Sequence, residues 1–298
     1  MVASVPPQPG TTTVQTGRRG QQPQEQGRPA DMGAVLPLAE LRNRIGPVYG
    51  SETISLMLYA LVRRERPANV VELGTGLGVS ALSMAQAVKE NGLGHVWTID
   101  DGSHWKDAAH LRGALAPLKG AAPFDTLPLD TVAYGDFIRG AARAMGLERQ
   151  MTFMEAHLDL GAETSLDPAR WPFLAQPVDL VFLDIFRTPE PILDTLFHFL
   201  PVSAPAMSLF IDSASTSAVS YLFLETLVER LNRGKVPWRW LQRADAERRR
   251  QLVDLVATRR FTLVHLVERL QRAQNSTAWL RIEPADHMPH PPTAMKWV

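Results

Sequence analysis

One stretch constrains the chain more than any other: Val70-Val71-Glu72-Leu73-Gly74-Thr75-Gly76-Leu77-Gly78, a short apolar run that opens into glycines spaced GxGxG and then into an amphipathic segment, Val79–Glu90. Glycines between a strand and a helix let the backbone approach a ligand closely, and the following helix offers free N–H groups at its start. A second strand-like run, His95–Asp100, ends in an acidic residue 22 positions beyond Gly78. A carboxylate at that distance can accept hydrogen bonds from ribose hydroxyls, so the two segments together describe one βαβ unit with a nucleoside site at the strands' carboxyl ends.

Alternation continues downstream. Gln150–Ala156, Val178–Asp184 and Ser208–Asp212 read as third, fourth and fifth strands, with helical patterns over Lys106–Leu118, Gly135–Leu147 and Pro191–Leu200. Helices are also expected over Ser51–Arg64, N-capped by Ser51 and stopped by Pro67, over Ala218–Asn232, and over Ala244–Thr258. Phe261–Glu268 and Ser276–Glu283, joined by a polar segment, fit an antiparallel hairpin. The fold class is therefore α/β, a doubly wound and mostly parallel Rossmann-like sheet closed by a C-terminal antiparallel hairpin. Residues 1–31, rich in Pro, Gln and Gly, are expected to be a disordered tail, 32–284 a single domain with an N-terminal helical cap, and 285–298 a loose C-terminal tail.

Composition narrows the partners. Lys plus Arg and Asp plus Glu balance at 31 each, which gives no global field to gather nucleic acid or anionic lipid. No run of about 18 apolar residues offers a membrane span, and no secretory signal pattern opens the chain, so a cytoplasmic protein is expected. The absence of cysteine excludes disulfides, thiolate metal sites and a cysteine nucleophile.

Two cofactor classes compete for the glycine turn. Dinucleotide sites read GxGxxG, whereas here the third glycine comes one residue early. Glu72 would repel a pyrophosphate but favours the ammonium and sulfonium of S-adenosylmethionine. The run Glu72–Ser80 resembles the first motif of class I S-adenosylmethionine-dependent methyltransferases, with the small-molecule O-methyltransferases the closest in look over roughly Ser51–Glu283.

That resemblance implies S-adenosylmethionine as cofactor and O-methylation of a small-molecule or peptide acceptor. It carries Glu72, Gly74, Thr75, Gly76 and Gly78 to the methionine part of the cofactor, Asp100 to the ribose with Asp101 secondary, and Ala156 and His157 to the adenine. His157 reads equally well as an exposed loop histidine. Asp184, at the end of the fourth strand, falls at the reaction site, with helix capping as its alternative; proton removal falls to Asp184, Asp212 or a histidine, or is assisted by a bound metal. In metal-dependent relatives this aspartate ligates a divalent cation with an Asp-Asn pair ending the fifth strand. Here the pair is Asp212-Ser213, which weakens the case for magnesium. Arg187 stands where a related subgroup has a histidine; it stays protonated, so it is no ordinary base but can orient a carboxylate-bearing acceptor. A homodimer is expected from similar O-methyltransferases. An NAD-dependent oxidoreductase and a non-catalytic nucleoside-binding scaffold are the rival readings. For His104, His110, His157 and His265, and for Trp105, Trp238 and Trp240, structural roles are expected first.

Overall fold

The computed structural model describes residues 38, 54–106, 115–120, 127–129, 131–162, 166–185, 187–267 and 276–285. The two tails, apart from Ala285, the Ser51 cap, most of the Lys106–Leu118 helix, His110 and the turn of the terminal hairpin lie outside these residues.

Seven strands form one sheet in the order β3-β2-β1-β4-β5-β7-β6. They are β1 Asn69–Leu73, β2 His95–Asp100, β3 Met151–Glu155, β4 Val178–Leu183, β5 Ser203–Asp212, β6 Arg259–Val267 and β7 Ser276–Pro284. All pairings among the first five are parallel, and β7 runs antiparallel to both β5 and β6. The helices are α1 Ile54–Glu65, α2 Val79–Asn91, α3 Tyr134–Ala144, α4 Pro189–Phe199, α5 Ala218–Asn232, α6 Trp238–Arg243 and α7 Ala246–Thr258.

Period-two alternation along the strands divides the core in two. Val70, Val96, Leu180, Phe182 and Phe210 pack with α1, α2 and α3 on one face. Val71, Leu73, Ile99, Val181, Leu183 and Leu209 pack with α4, α5 and α7 on the other. Every residue of β1 is buried, as a central parallel strand covered on both sides requires.

Chain order reverses between β1 and β4, which are neighbours in the middle of the sheet. At such a switch point the connections leave on opposite faces and the carboxyl ends of the two strands frame a crevice, the place where open α/β sheets bind ligands.

Two segments differ from the sequence reading. β5 begins at Ser203, ahead of the expected Ser208, and its pairing with β4 shifts register between Val178 and Leu180. Pro205 within it gives no strand signal because it removes an amide. The Trp238–Arg243 helix was not foreseen; its six residues carry too little periodicity, and Trp240, buried with its indole N–H donated 2.9 Å to the Leu193 carbonyl, fixes it by tertiary packing.

Candidate functional site

The glycine turn is stitched into the switch point by backbone bonds. The Gly74 amide donates to the Ile99 carbonyl at 2.8 Å, and the Asp184 amide donates to the Leu73 carbonyl at 2.8 Å. Gly74 has φ +95°, and a Cβ there would sit 2.5 Å from the Asp184 carbonyl oxygen. Only glycine permits this approach. Gly78, at φ +82°, opens α2 without a side-chain cap, so the first amides of that helix stay available to a ligand. Gly76 also has positive φ.

Asp100 holds the turn from β2. One carboxylate oxygen accepts from the Thr75 amide at 2.9 Å and the Gly76 amide at 3.1 Å, the other from the Gly102 amide at 2.8 Å, and His104 Nδ1 lies 3.6 Å away. Sequence reasoning assigns Asp100 to ribose alone. In the fold it also shapes the loop, which a carboxylate's four lone-pair sites allow.

Glu72 is fully buried beneath the turn. The Ser80 and Thr98 hydroxyls donate to its carboxyl, and the Thr75 hydroxyl lies 2.5 Å from that of Thr98. Burial, with a smaller contribution from the charge of Asp100, pushes the Glu72 carboxyl up to about 8 against the pull of the two hydroxyls. This changes the electrostatic argument made from sequence. The neutral form of Glu72 is therefore favoured near neutral pH.

On the expected adenine side, the Ala156 amide donates to the Asp100 carbonyl at 2.8 Å, and His157 Nδ1 lies 3.2 Å from the Asp101 carboxylate. The Ser103 backbone amide, more than the His157 contact, holds the Asp101 carboxyl below its ordinary value. Sequence reasoning missed Tyr134. Its buried hydroxyl donates to the Gly76 carbonyl at 2.8 Å, and its ring meets His104 edge-on at 4.8 Å and Phe153 at 5.1 Å. As the first residue of an amphipathic helix it reads as core, and nothing local marks its reach to the turn. Burial, then the nearby Asp100 charge, raises the Tyr134 phenol far above its ordinary value, so it serves as a fixed donor.

Asp184 and Asp212, at the ends of β4 and β5, lie close enough for each carboxyl to influence the other. Asp184 lies deep among protein atoms even though the crevice opens to solvent at this residue. That depth raises its carboxyl well above the ordinary range, and the charges of Asp212 and Glu72 raise it further. The open crevice tempers the desolvation, but the proximity of two carboxyls acts whether or not water is present, so the upward direction stands. Asp212 is raised by burial, opposed by the Ser213 hydroxyl, which donates to it at 2.6 Å. Arg187 favours the charged form of both carboxyls. Its backbone carbonyl accepts from the buried Ser220 hydroxyl, which ties it to the first turn of α5.

Together these groups suit a shared proton rather than magnesium. The two carboxyls lie close to each other, Ser213 occupies the third position, and the nearby Arg187 charge is felt at both. No group of three or more His, Cys, Asp or Glu able to hold a metal gathers among the described residues.

The remaining candidates sit away from the switch point. His265 bridges Ser215 at 2.7 Å and Glu225 at 3.2 Å while stacking on Tyr221. Trp238 is 70% exposed on α6. Arg248, first of the basic run Arg248–Arg250, donates to the Phe197 carbonyl at 3.1 Å and so helps dock α7 on α4.

A switch-point crevice with a glycine turn, an acidic end to β2 and a carboxyl pair on β4 and β5 defines a nucleoside-binding α/β enzyme. Residues 71–214 match the family model described as a methyltransferase domain, so the chain carries a methyltransferase domain over these residues. The oxidoreductase and scaffold readings find no support in that match. No curated protein sequence matches the chain.

Solved structures resembling it include the O-methyltransferase TomG of tomaymycin synthesis from Streptomyces achromogenes, in complex with S-adenosylmethionine, at 16% identity over 87% of this chain and 92% of that one, TM-score 0.42. An O-methyltransferase from Bacillus cereus, in complex with S-adenosylhomocysteine, is 15% identical over 86% and 92%, TM-score 0.45. A methyltransferase from Geobacter sulfurreducens is 16% identical over 86% and 92%, TM-score 0.44. No helix among the described residues is long and apolar enough to cross a membrane.

Proposed function

We propose that the enzyme methylates a hydroxyl oxygen of a small-molecule or peptide acceptor seated at the carboxyl ends of β4 and β5. The observation that carries this reading is the Asp184–Asp212 carboxyl pair, set directly against the glycine turn through the Asp184 backbone. A group able to take a proton thereby stands beside the place where the methyl donor would lie.

The roles follow from the residues. Gly74, Thr75, Gly76 and Gly78 leave room and donors for the cofactor, Glu72 ionises to meet its positive end, and Asp100 holds both the loop and the ribose. Asp101, Ala156 and His157 border the adenine. Bound S-adenosylmethionine supplies an electrophilic methyl group. Asp184 and Asp212 face the acceptor, and the ionised member of the pair would take the hydroxyl proton as the acceptor oxygen is methylated. Orientation and proximity supply most of the acceleration, and the carboxyl contributes general-base assistance of about 10²–10⁴-fold. No step needs a metal.

The test begins with titration of the purified protein with S-adenosylmethionine, followed by transfer assays on a hydroxyl-acceptor panel with and without EDTA. Expected are micromolar cofactor binding, product formation insensitive to EDTA, and loss of turnover in Asp184→Asn with cofactor affinity retained. No binding of the cofactor, or full activity in Asp184→Asn, refutes the assignment.

A further inference from the structure

Arg187 is more than a neighbour of the carboxyl pair. Its side chain is exposed, and its guanidinium makes no hydrogen bond or ion pair within the described residues, although its charge is felt at both Asp184 and Asp212. Some other arginines on the described surface are engaged, Arg239 and Arg243 on Asp194, Arg281 on Glu65, and Arg233 on Glu229; others, such as Arg149 and Arg250, make no such contact within the described residues, and what sets Arg187 apart is its place beside the carboxyl pair. The Ser220 hydroxyl, buried under α5, pins the Arg187 backbone, so the guanidinium is mounted on a fixed point while its donors stay open.

Exposed apolar side chains stand on the elements that carry it. Ile185, 39% exposed, leans toward the glycine turn, with its Cγ1 3.3 Å from where a Gly74 Cβ would stand. Val219 and Leu222, each 65% exposed, share one flank of the first two turns of the helix that holds Arg187. A planar five-donor cation facing solvent, with a carboxyl pair beside it and exposed apolar side chains on its own loop and on the helix that holds it, suits an anion attached to an apolar body.

Resting on the methyl-transfer reading above, we propose that the acceptor is a hydroxy acid: a molecule whose carboxylate pairs with Arg187, whose apolar body lies on Ile185, Val219 and Leu222, and whose hydroxyl reaches Asp184 and Asp212. The charges favour this class over a neutral alcohol. A carboxylate brought to the site meets Arg187, whose donors are unspent within the described residues, and the pair, carrying a shared proton, presents less than its full negative charge.

Calorimetric titration with defined probes decides it. The wild-type enzyme, with and without saturating S-adenosylhomocysteine, is titrated with 4-hydroxybenzoate against phenol and with 3-hydroxydecanoate against 3-hydroxybutyrate. Each aromatic or long-chain acid is expected to bind at least tenfold tighter than its partner. Arg187→Gln should abolish the preference for the acid over phenol, and Leu222→Asp should abolish the preference for the long chain. Equal affinity for acid and phenol, an unchanged preference in Arg187→Gln, or no binding of either acid overturns the proposal. Failure to bind S-adenosylhomocysteine would instead strike the transfer reading, while acid-selective binding on its own would still settle the ligand class.

Discussion

Glu72→Gln is the most informative single perturbation. The buried carboxyl moves from an ordinary 4.5 to about 8 in the folded chain, which at 1.36 kcal/mol per pH unit corresponds to about 5 kcal/mol. The sign follows from proton counting. Between these two values the folded protein keeps a proton that the unfolded chain has released, so stability from this group is full below pH 4.5 and is lost as pH rises through about 8. Urea denaturation at pH 5, 6.5 and 8 should therefore show the wild type losing stability with rising pH by up to a few kcal/mol more than Glu72→Gln, whose amide cannot ionise. The same group should report cofactor binding. At pH 7 the protonated form is favoured, so a cation lodged at the turn should expel up to about one proton, visible as a buffer-dependent enthalpy when S-adenosylmethionine is titrated. Parallel pH profiles in the two proteins, or the same proton release from both, would refute the reasoning.

Gly74→Ala places a Cβ 2.5 Å from the Asp184 carbonyl at φ +95°, and should lower stability by at least about 2 kcal/mol and abolish cofactor binding, read by denaturant midpoint and calorimetry. Asp100→Ala removes the acceptor for the Thr75, Gly76 and Gly102 amides; S-adenosylmethionine affinity should fall at least about tenfold, roughly 1.4 kcal/mol, and unchanged affinity would remove that assignment. Asp194 receives both Arg239 and Arg243 with its side chain only 7% exposed; Asp194→Ala should cost about 3 kcal/mol in chemical denaturation by leaving a partly buried guanidinium without its counter-ion.

The parallel core was readable because its signals are local. β1 and β2 are short apolar runs bounded by glycine and an acid, and α2 starts at the glycine whose positive φ the turn demands. The hairpin was readable for the same reason. What sequence could not supply were contacts between distant segments. Asp100 looked like a ribose ligand and proved also to be the clasp of the loop, because its amide partners lie 24 and 25 residues away. Glu72 looked charged, and only its complete burial shows that it is held mostly neutral. Tyr134 lies 58 residues from its partner Gly76 and was invisible. The proximity of Asp184 to Asp212 depends on the pairing of β4 with β5, which the alternation of elements implies but does not fix in register.

The reversal of strand order between β1 and β4 also divides labour along the chain. Everything assigned to the nucleoside comes from residues 72–157, and everything assigned to the acceptor comes from residues 184–222. The two sets meet mainly through backbone, where Leu73 and Gly74 touch Asp184. Under the hydroxy-acid proposal, side chains at 219 and 222 can be exchanged to retune the acceptor while the residues assigned to the methyl donor are left as they stand; Ile185, which leans on the glycine turn, belongs to both sets.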